Sequence, residues 1–529
     1  VFEMLRITAV VVLSSALAVG SADAEAITPF MQGVARAAAE DEAVAAFYRS
    51  HGYEAIWTDA EEDDRARLAA LVTALSRSDH HALPVDTFTE NAVRRHLRGV
   101  RTEADRGRAE VELSRLFLAY AHAVQSGVTS PDAISEEIKR TAPRREGADL
   151  LQRLVDEPPA QAMRSLPPAT PEYAHLVRAR TELKRAAAAG GWGVAVPKGR
   201  YEIGSVGDGV VLLRNRLIAM GYLPRTAQAV YDDNFADAVR RFQADHGLVV
   251  DGIAGGETVA EINREPRDRL AQVVVAMERE RWLNVDRGAR HIWVNLADFS
   301  VTLLDQGVPR FATKAVVGAA RDDRRSPEFS DVMDHMVINP SWHVPRSIAI
   351  NEYLPSFRAN RYANRHLLVY YRGQPIARER INFSAVTPQN WPFQLRQPPS
   401  RSNALGLVKF MFPNRWNIYL HDTPEKHLFD RTVRAYSHGC IRLHQPFEFA
   451  YTLLEPQTGD PRGFFEAQLA TGRETRVDLE TEVPVHLVYR TAFATERGRM
   501  QFRQDVYGRD RAVIAALEAA GVEVVGRGS

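Results

Sequence analysis

Cysteine is almost absent: the 529-residue chain has one, Cys440. That excludes an internal disulfide, and it excludes a zinc cage built on several thiolates. There is no His-Glu-x-x-His pattern, and the adjacent His80 and His81 cannot share one face as ligands spaced by three or four residues would. No metal site and no cofactor are expected. Net charge is lacking too, since 67 basic side chains balance 67 acidic ones and leave no electrostatic footprint for a nucleic acid. Nor is there a long apolar run. The stretch Ile7 to Val19 behind Arg6 is about 13 residues, short of the roughly 20 that span a bilayer. Ala22-Asp23-Ala24 behind it fits small-x-small cleavage, so residues 1–24 read as a secretory signal peptide, leaving an exported, soluble mature protein with no transmembrane span. In an oxidising compartment a lone thiol needs a functional explanation.

With 45% hydrophobic and 25% charged residues, the composition is that of a large globular protein. At about 150 residues per domain its length allows three or four. Residues 25–200 read as a helical scaffold, with Leu113, Leu116, Phe117, Tyr120 and Val124 on one stripe and Gly127 as a stop. Phe47, Tyr48, Tyr53 and Trp57 form an aromatic cluster that reads as core. The acidic run Glu61-Glu62-Asp63-Asp64 reads as a solvated loop, and the prolines from Pro158 to Pro171 interrupt the helical pattern. Residues 206–265 form a compact three-helix module. Val211, Leu213, Leu217 and Met220 precede a Gly221 stop; Phe235, Val239 and Phe242 share a face; and Asp251-Gly252 turns into a third helix over Thr258–Ile262. The segments Phe235–Gln243, His246-Gly247-Leu248 and Asp251-Gly252-Ile253 resemble a small peptidoglycan-binding domain.

From His291 the period changes from 3.6 to 2, and strands dominate. Ile292, Val294 and Leu296 alternate with polar residues, Val301 and Leu303 precede the turn Asp305-Gln306-Gly307, and Ala315–Gly318, Val332–Ile338, Leu407–Phe412 and Asn417–His421 follow the same pattern. Residues 344–400, rich in proline and aromatics, break that pattern and read as an inserted lid. Cys440 lies in Ser437-His438-Gly439-Cys440-Ile441-Arg442-Leu443, a small and polar setting that suits a nucleophile. Gly439 allows close backbone approach, Arg442 offers charge that favours thiolate, and His421, nineteen residues upstream, offers a base. His421 would take the thiol proton or hold the thiolate as an ion pair. Asp422 could orient it by side chain or backbone, the N–H groups of His438, Gly439 and Cys440 are candidate oxyanion donors, and His438 shapes the turn.

The pattern of His421 followed by Ser437-His438-Gly439-Cys440 and Arg442, with Asn339–Pro345 and Asn403-Ala404-Leu405-Gly406, resembles the L,D-transpeptidase catalytic domain over residues 288–510, with 344–400 as a capping subdomain and 511–529 as a tail. The fold class implied is multidomain α+β: helical scaffold, three-helix module, mostly-β catalytic domain with a lid. The resemblance implies Cys440 as nucleophile, His421 as base and Ser437, His438, Gly439 and Arg442 as the signature turn. It places Tyr419 and Trp342 near a substrate groove with Asn403, Gly406 and Arg442, and carries over only the backbone carbonyl of Asp422 as the histidine's partner. The implied partners are peptidoglycan tetrapeptide stems as donor and acceptor, with carbapenems acylating the same cysteine, in the periplasm.

Overall fold

The computed structural model describes residues 27–321 and 323–524; the signal-peptide reading of residues 1–24 lies outside them. Among the described residues no helix is long and apolar enough to cross a membrane. The predicted helical stripe is the inner face of the helix Glu103–Ser126, whose five named apolar residues are all buried. Thr102 and Asp105 close its N-terminus as a reciprocal capping box. Phe47, Tyr48 and Trp57 pack in the same core, with Tyr53 at its half-buried edge.

Two local expectations fail here for electrostatic and steric reasons. The acidic run is not a loop: Glu62, Asp63 and Asp64 make the first turn of the helix Glu62–Ser76, where carboxylates meet the positive end of the helix dipole. Asp64 is buried against Arg67. The prolines start helices as well as separating them. Pro159 and Pro171 occupy the first turns of Pro159–Arg164 and Pro171–Ala188, where a missing N–H costs no intrahelical bond.

The small module folds as three helices, Asp208–Ala219, Asp233–Asp245 and Gly256–Ile262, closed around Leu213, Leu217, Phe235, Val239 and Phe242. Val210, not Val211, takes the buried place in its first helix.

The helix Pro266–Trp282, which falls in the gap between the expected module and catalytic domain, is the hub of the molecule. Fourteen of its 17 residues are buried, so it has no solvent face and no amphipathic stripe to betray it. Its last turns hold four consecutive buried charges. Glu278 accepts from the N–H groups of Val128 and Thr129 at 2.8 and 2.9 Å and pairs with Arg281 at 2.8 Å. Arg279 meets Glu328 at 2.6 Å, and Glu280 takes Arg287 and Arg490, each at 2.6 Å. Gly127, read from sequence as a helix stop, has a φ of +95° and lies so close to Glu278 that a Cβ would fall 2.5 Å from its Oε1. The stretch 511–529 begins inside a helix, Arg509–Ala519, whose Val513 and Leu517 join Tyr173, Leu176 and the hub in one core.

The catalytic region is built on strands β1 (Arg290–Asn295), β2 (Ser300–Asp305), β3 (Val308–Gly318) and β4 (Phe329–Ile338). A smaller four-stranded sheet follows from β5 (Trp342–His343), β6 (Leu368–Tyr371), β7 (Gln374–Pro375) and β8 (Phe393–Gln397). It has a separate core of Leu354, Phe357, Leu367, Phe383, Trp391 and Leu395, so the insertion is an ordered subdomain. The large sheet resumes with β9 (Val408–Met411), β10 (Leu420–His421), β11 (Ala435–Ser437), β12 (Ile441–Leu443) and β13 (Thr475–Val488). Its order is β11-β3-β12-β10-β9-β4-β13-β1-β2, and β3 also pairs with β2, so the sheet curls back on itself. The expected strand 417–421 is shorter than predicted. Asn414 clamps Ile418 through both its N–H and its carbonyl, and Asn417 has a φ of +54°, which keeps the chain in a turn until Leu420.

Glu278→Ala leaves two backbone donors and the buried Arg281 without their acceptor, which should cost about 3–5 kcal/mol. Its urea midpoint should fall clearly below that of Arg240→Ala, which removes only an exposed pair and should change stability by under about 0.5 kcal/mol; equal midpoints would show that the hub charges do not hold the domains.

Candidate active site

One pair of core residues sets the site. β10 and β12 run parallel with Leu420 opposite Ile441, and both side chains are fully buried. Side chains alternate along a strand, so Tyr419 and His421 on one strand, and Cys440 and Arg442 on the other, emerge together on the opposite face. Cys440 is level with Tyr419, and His421 with Arg442. Adjacent strands lie about 4.7–4.9 Å apart, so the side chains of Cys440 and His421 are neighbours on that face. β9 extends the face, because its core residue Phe410 lies opposite Leu420 and Lys409 lies opposite His421.

Cys440 is half-buried. Its thiol donates to the Asn417 carbonyl at 3.4 Å. Burial pushes the thiol up to about 11, against the opposing pull of Tyr419, Arg442 and Lys409. Arg442 was expected to favour thiolate, but its guanidinium is paired with Glu425, and burial wins. His421 is driven the other way, down to about 3, first by burial and then by the Arg442 charge. Its Nδ1 donates to the Asp422 carbonyl at 2.5 Å, which leaves Nε2 with the lone pair. The resting site therefore carries a neutral thiol and a neutral imidazole on one face of the sheet, the thiol turned to the Asn417 carbonyl. Of the two roles open to His421, general base fits this state and a standing ion pair does not.

The Asp422 side chain does not touch the imidazole. It accepts from Leu407 N–H at 2.9 Å and from Lys426 at 2.7 Å, fixing the loop that precedes β9. Gly406 belongs to this clamp rather than to a substrate surface: its φ is +63°, and a Cβ there would collide with the Asp422 carboxylate. Asn403 is also committed, fully buried with its amide on the carbonyls of Pro340, Gln397 and Pro398. It has no free donor for a substrate. Trp342 stands at the root of the insertion on β5, half-buried, edge-on to Tyr353 at 6.3 Å.

The turn before Cys440 is held from beneath. Ser326, fully buried, donates to the Gly439 carbonyl at 2.6 Å and accepts from Gly318 N–H at 2.9 Å. Because the peptide is planar and trans, turning that carbonyl inward turns the Cys440 N–H outward. Among the described residues no protein acceptor takes the N–H of His438, Gly439 or Cys440, so all three remain available to an oxyanion. Gly439 has a φ of +119°, a conformation that favours glycine. Ser437 is buried on β11, its carbonyl accepting from Ala319 N–H at 2.7 Å. His438 reaches the capping subdomain, with Nε2 2.5 Å from Glu352, which also pairs with Arg324 at 2.7 Å. Ser326, Glu352, Asn417 and Lys409 were not singled out from sequence. Only Lys409 left a signal, a polar residue at the outward position of the alternating Val408–Met411 strand. No group of three or more His, Cys, Asp or Glu side chains able to hold a metal occurs among the described residues.

Comparison with known proteins agrees with this architecture. Residues 289–476 match the family described as "L,D-transpeptidase catalytic domain", residues 206–262 a "Putative peptidoglycan binding domain", and residues 42–179 a "Scaffold domain". A "Putative L,D-transpeptidase" of Haemophilus influenzae is 29% identical over 242 residues, 45% of this chain and 48% of the relative, so the match spans about half of that protein. Among solved structures, an L,D-transpeptidase from Xylanimonas cellulosilytica is 14% identical over 56% of this chain and 98% of its own, with a TM-score of 0.18. A fused Zn-dependent amidase/peptidase/peptidoglycan-binding protein from Clostridium acetobutylicum is 13% identical over 55% of this chain and 100% of its own, with a TM-score of 0.15. Both scores lie far below the level at which a shared fold is established.

A thiol at about 11 is on the order of one part in 10⁴ thiolate at neutral pH, and thiolate is the reactive form. Alkylation of Cys440 by iodoacetamide should therefore climb about tenfold per pH unit from pH 6 to 10; a plateau already reached below pH 8 would mean a preformed thiolate.

Proposed function

We infer that this chain, whose residues 289–476 belong to the L,D-transpeptidase catalytic domain family, is an exported peptidoglycan L,D-transpeptidase that makes 3→3 cross-links through a thioester on Cys440. The observation that supports this most is the shared face of β10 and β12, which carries one thiol and one imidazole whose Nε2 keeps its lone pair, next to a turn whose backbone N–H groups have no protein acceptor among the described residues.

In this reading the donor is a tetrapeptide stem. Cys440 Sγ attacks the carbonyl of its third residue while His421 Nε2 takes the thiol proton, so the charge forms only as the new C–S bond does. The oxyanion rests on the N–H groups of the turn, each worth roughly 10² to 10³ in rate. Collapse breaks the amide bond, and His421 returns the proton to the departing amine of the terminal D-alanine. The thioester then waits for the side-chain amine of a second stem, which attacks the same carbonyl, gives up a proton through His421 and restores the thiol. Carbapenems would acylate Cys440 by the same attack on a strained amide. The three-helix module would hold the chain on its polymeric substrate, and the capping subdomain, tied by Glu352 to His438, would cover the thioester against water.

Purified protein incubated with disaccharide-tetrapeptides should yield cross-linked dimer and free D-alanine by mass spectrometry, and Cys440→Ala should yield neither. Tripeptide without dimer would replace transfer by hydrolysis, making the enzyme an L,D-carboxypeptidase; dimer from the Cys440→Ala protein would overturn the mechanism.

A further inference from the structure

Four cations around the candidate site have an anionic partner among the described residues. Arg442 is paired with Glu425, Lys426 with Asp422 at 2.7 Å, Arg324 with Glu352 at 2.7 Å, and Arg396 lies 3.8 Å from Glu474. Lys409 differs from them. It is half-buried on β9, in register with His421 and on the same face as Tyr419 and Cys440. Among the described residues no carboxylate oxygen lies within 4.0 Å of its ammonium, and no acceptor takes a hydrogen bond from it. The face of Tyr419 lies 5.9 Å from Nζ to the ring centroid. Glu474 is near enough to be felt, but it is already engaged by Ser341 N–H at 2.6 Å.

A partly desolvated ammonium held without a counterion is costly unless something anionic arrives. Burial already lowers its affinity for the proton, and an arriving carboxylate would restore it. The Tyr419 ring lends partial compensation to the ammonium. A lysine kept for the fold alone would be expected to pair as its neighbours do.

We propose that Lys409 is a specificity-determining residue of this site, binding a carboxylate of the donor stem next to the scissile carbonyl. The assignment rests on the reading of the chain as acting on peptide stems. Two carboxylates of such a donor could serve: the terminal one of the departing D-alanine, one residue or about 3.8 Å of chain beyond the scissile unit, and the side-chain one of diaminopimelate at the third position. Either would dock as an anion on a compact point charge, a geometry that lysine tolerates without the bidentate demands of arginine.

Binding can be separated from chemistry in the Cys440→Ala protein, titrated with three stems: the natural tetrapeptide, the same stem with its terminal carboxylate amidated, and a stem with lysine in place of diaminopimelate. Adding Lys409→Met should weaken the natural stem at least tenfold and leave unchanged the one stem that lacks the carboxylate in question, which identifies it; Lys409→Arg should recover part of the loss. Lys409 also pulls the thiol down, so in the protein that keeps Cys440 Lys409→Met should slow iodoacetamide alkylation; the three-stem titration is read in the Cys440→Ala background, where a role confined to tuning the thiol or to packing would not single out one carboxylate. Equal weakening of all three stems, or none, overturns the proposal while leaving the transpeptidase reading intact. Failure of the Cys440→Ala protein to bind any stem overturns that reading, and the proposal with it.

Discussion

The site depends on the register between two very short strands. With Leu420 opposite Ile441 in the core, thiol and imidazole share the other face; a slip of one residue would turn His421 or Cys440 into the apolar core and an aliphatic side chain out of it. Strands of two and three residues cannot hold such a register by their own hydrogen bonds. It is held from the flanks: Asn414 and the positive φ of Asn417 fix where β10 begins, the Asp422 carboxylate fixes the loop that precedes β9, and Ser326 fixes the peptide in front of Cys440.

These supports trace back to parts of the chain far from the chemistry. Ser326 is two residues from Glu328, whose carboxylate meets Arg279 of the hub helix and Arg509 of the C-terminal helix. The backbone of Glu328 bonds to Glu137 and Lys139 of the scaffold, and Arg509 also takes the Ser326 carbonyl at 2.7 Å. Scaffold, hub, C-terminal helix and catalytic turn are thus joined through one short segment of backbone. Glu278 and Glu280 strengthen the same junction from the other end of the buried charge run. Buried ion pairs of this sort add little net stability over an apolar core, but they tolerate little misalignment, which suits a junction that must place a turn.

How much of this could be read from sequence follows from what each signal measures. The stripe on Glu103–Ser126, the three helices of the small module and the strands around Ile292, Val294 and Phe410 each have one buried and one wet face, so their periodicity is written in the chain. The hub helix has no wet face, so no periodicity marks it in the chain. Cys440 and His421 were legible because a small, polar, glycine-containing turn around a lone thiol is unusual in itself. Their protonation was not, since burial outweighs the pull of Arg442 on the thiol. Asn403 and Gly406 lie in a motif whose resemblance suggested substrate contact, while their geometry is that of a loop clamp. Ser326 and Glu352 act across long separations in sequence, and nothing local marks them.

The central claim is that Cys440, a neutral thiol at rest, becomes the acyl carrier once a donor is seated beside His421. Intact-mass analysis of the protein quenched in acid after mixing with a tetrapeptide donor, in the absence of an acceptor amine, tests it most directly. The account predicts a mass increase equal to the donor minus D-alanine, mapped by proteolysis to the peptide that contains Cys440 and released by hydroxylamine. D-alanine liberated in a full turnover with no adduct at any quench time, or an adduct mapped to another residue, would contradict it.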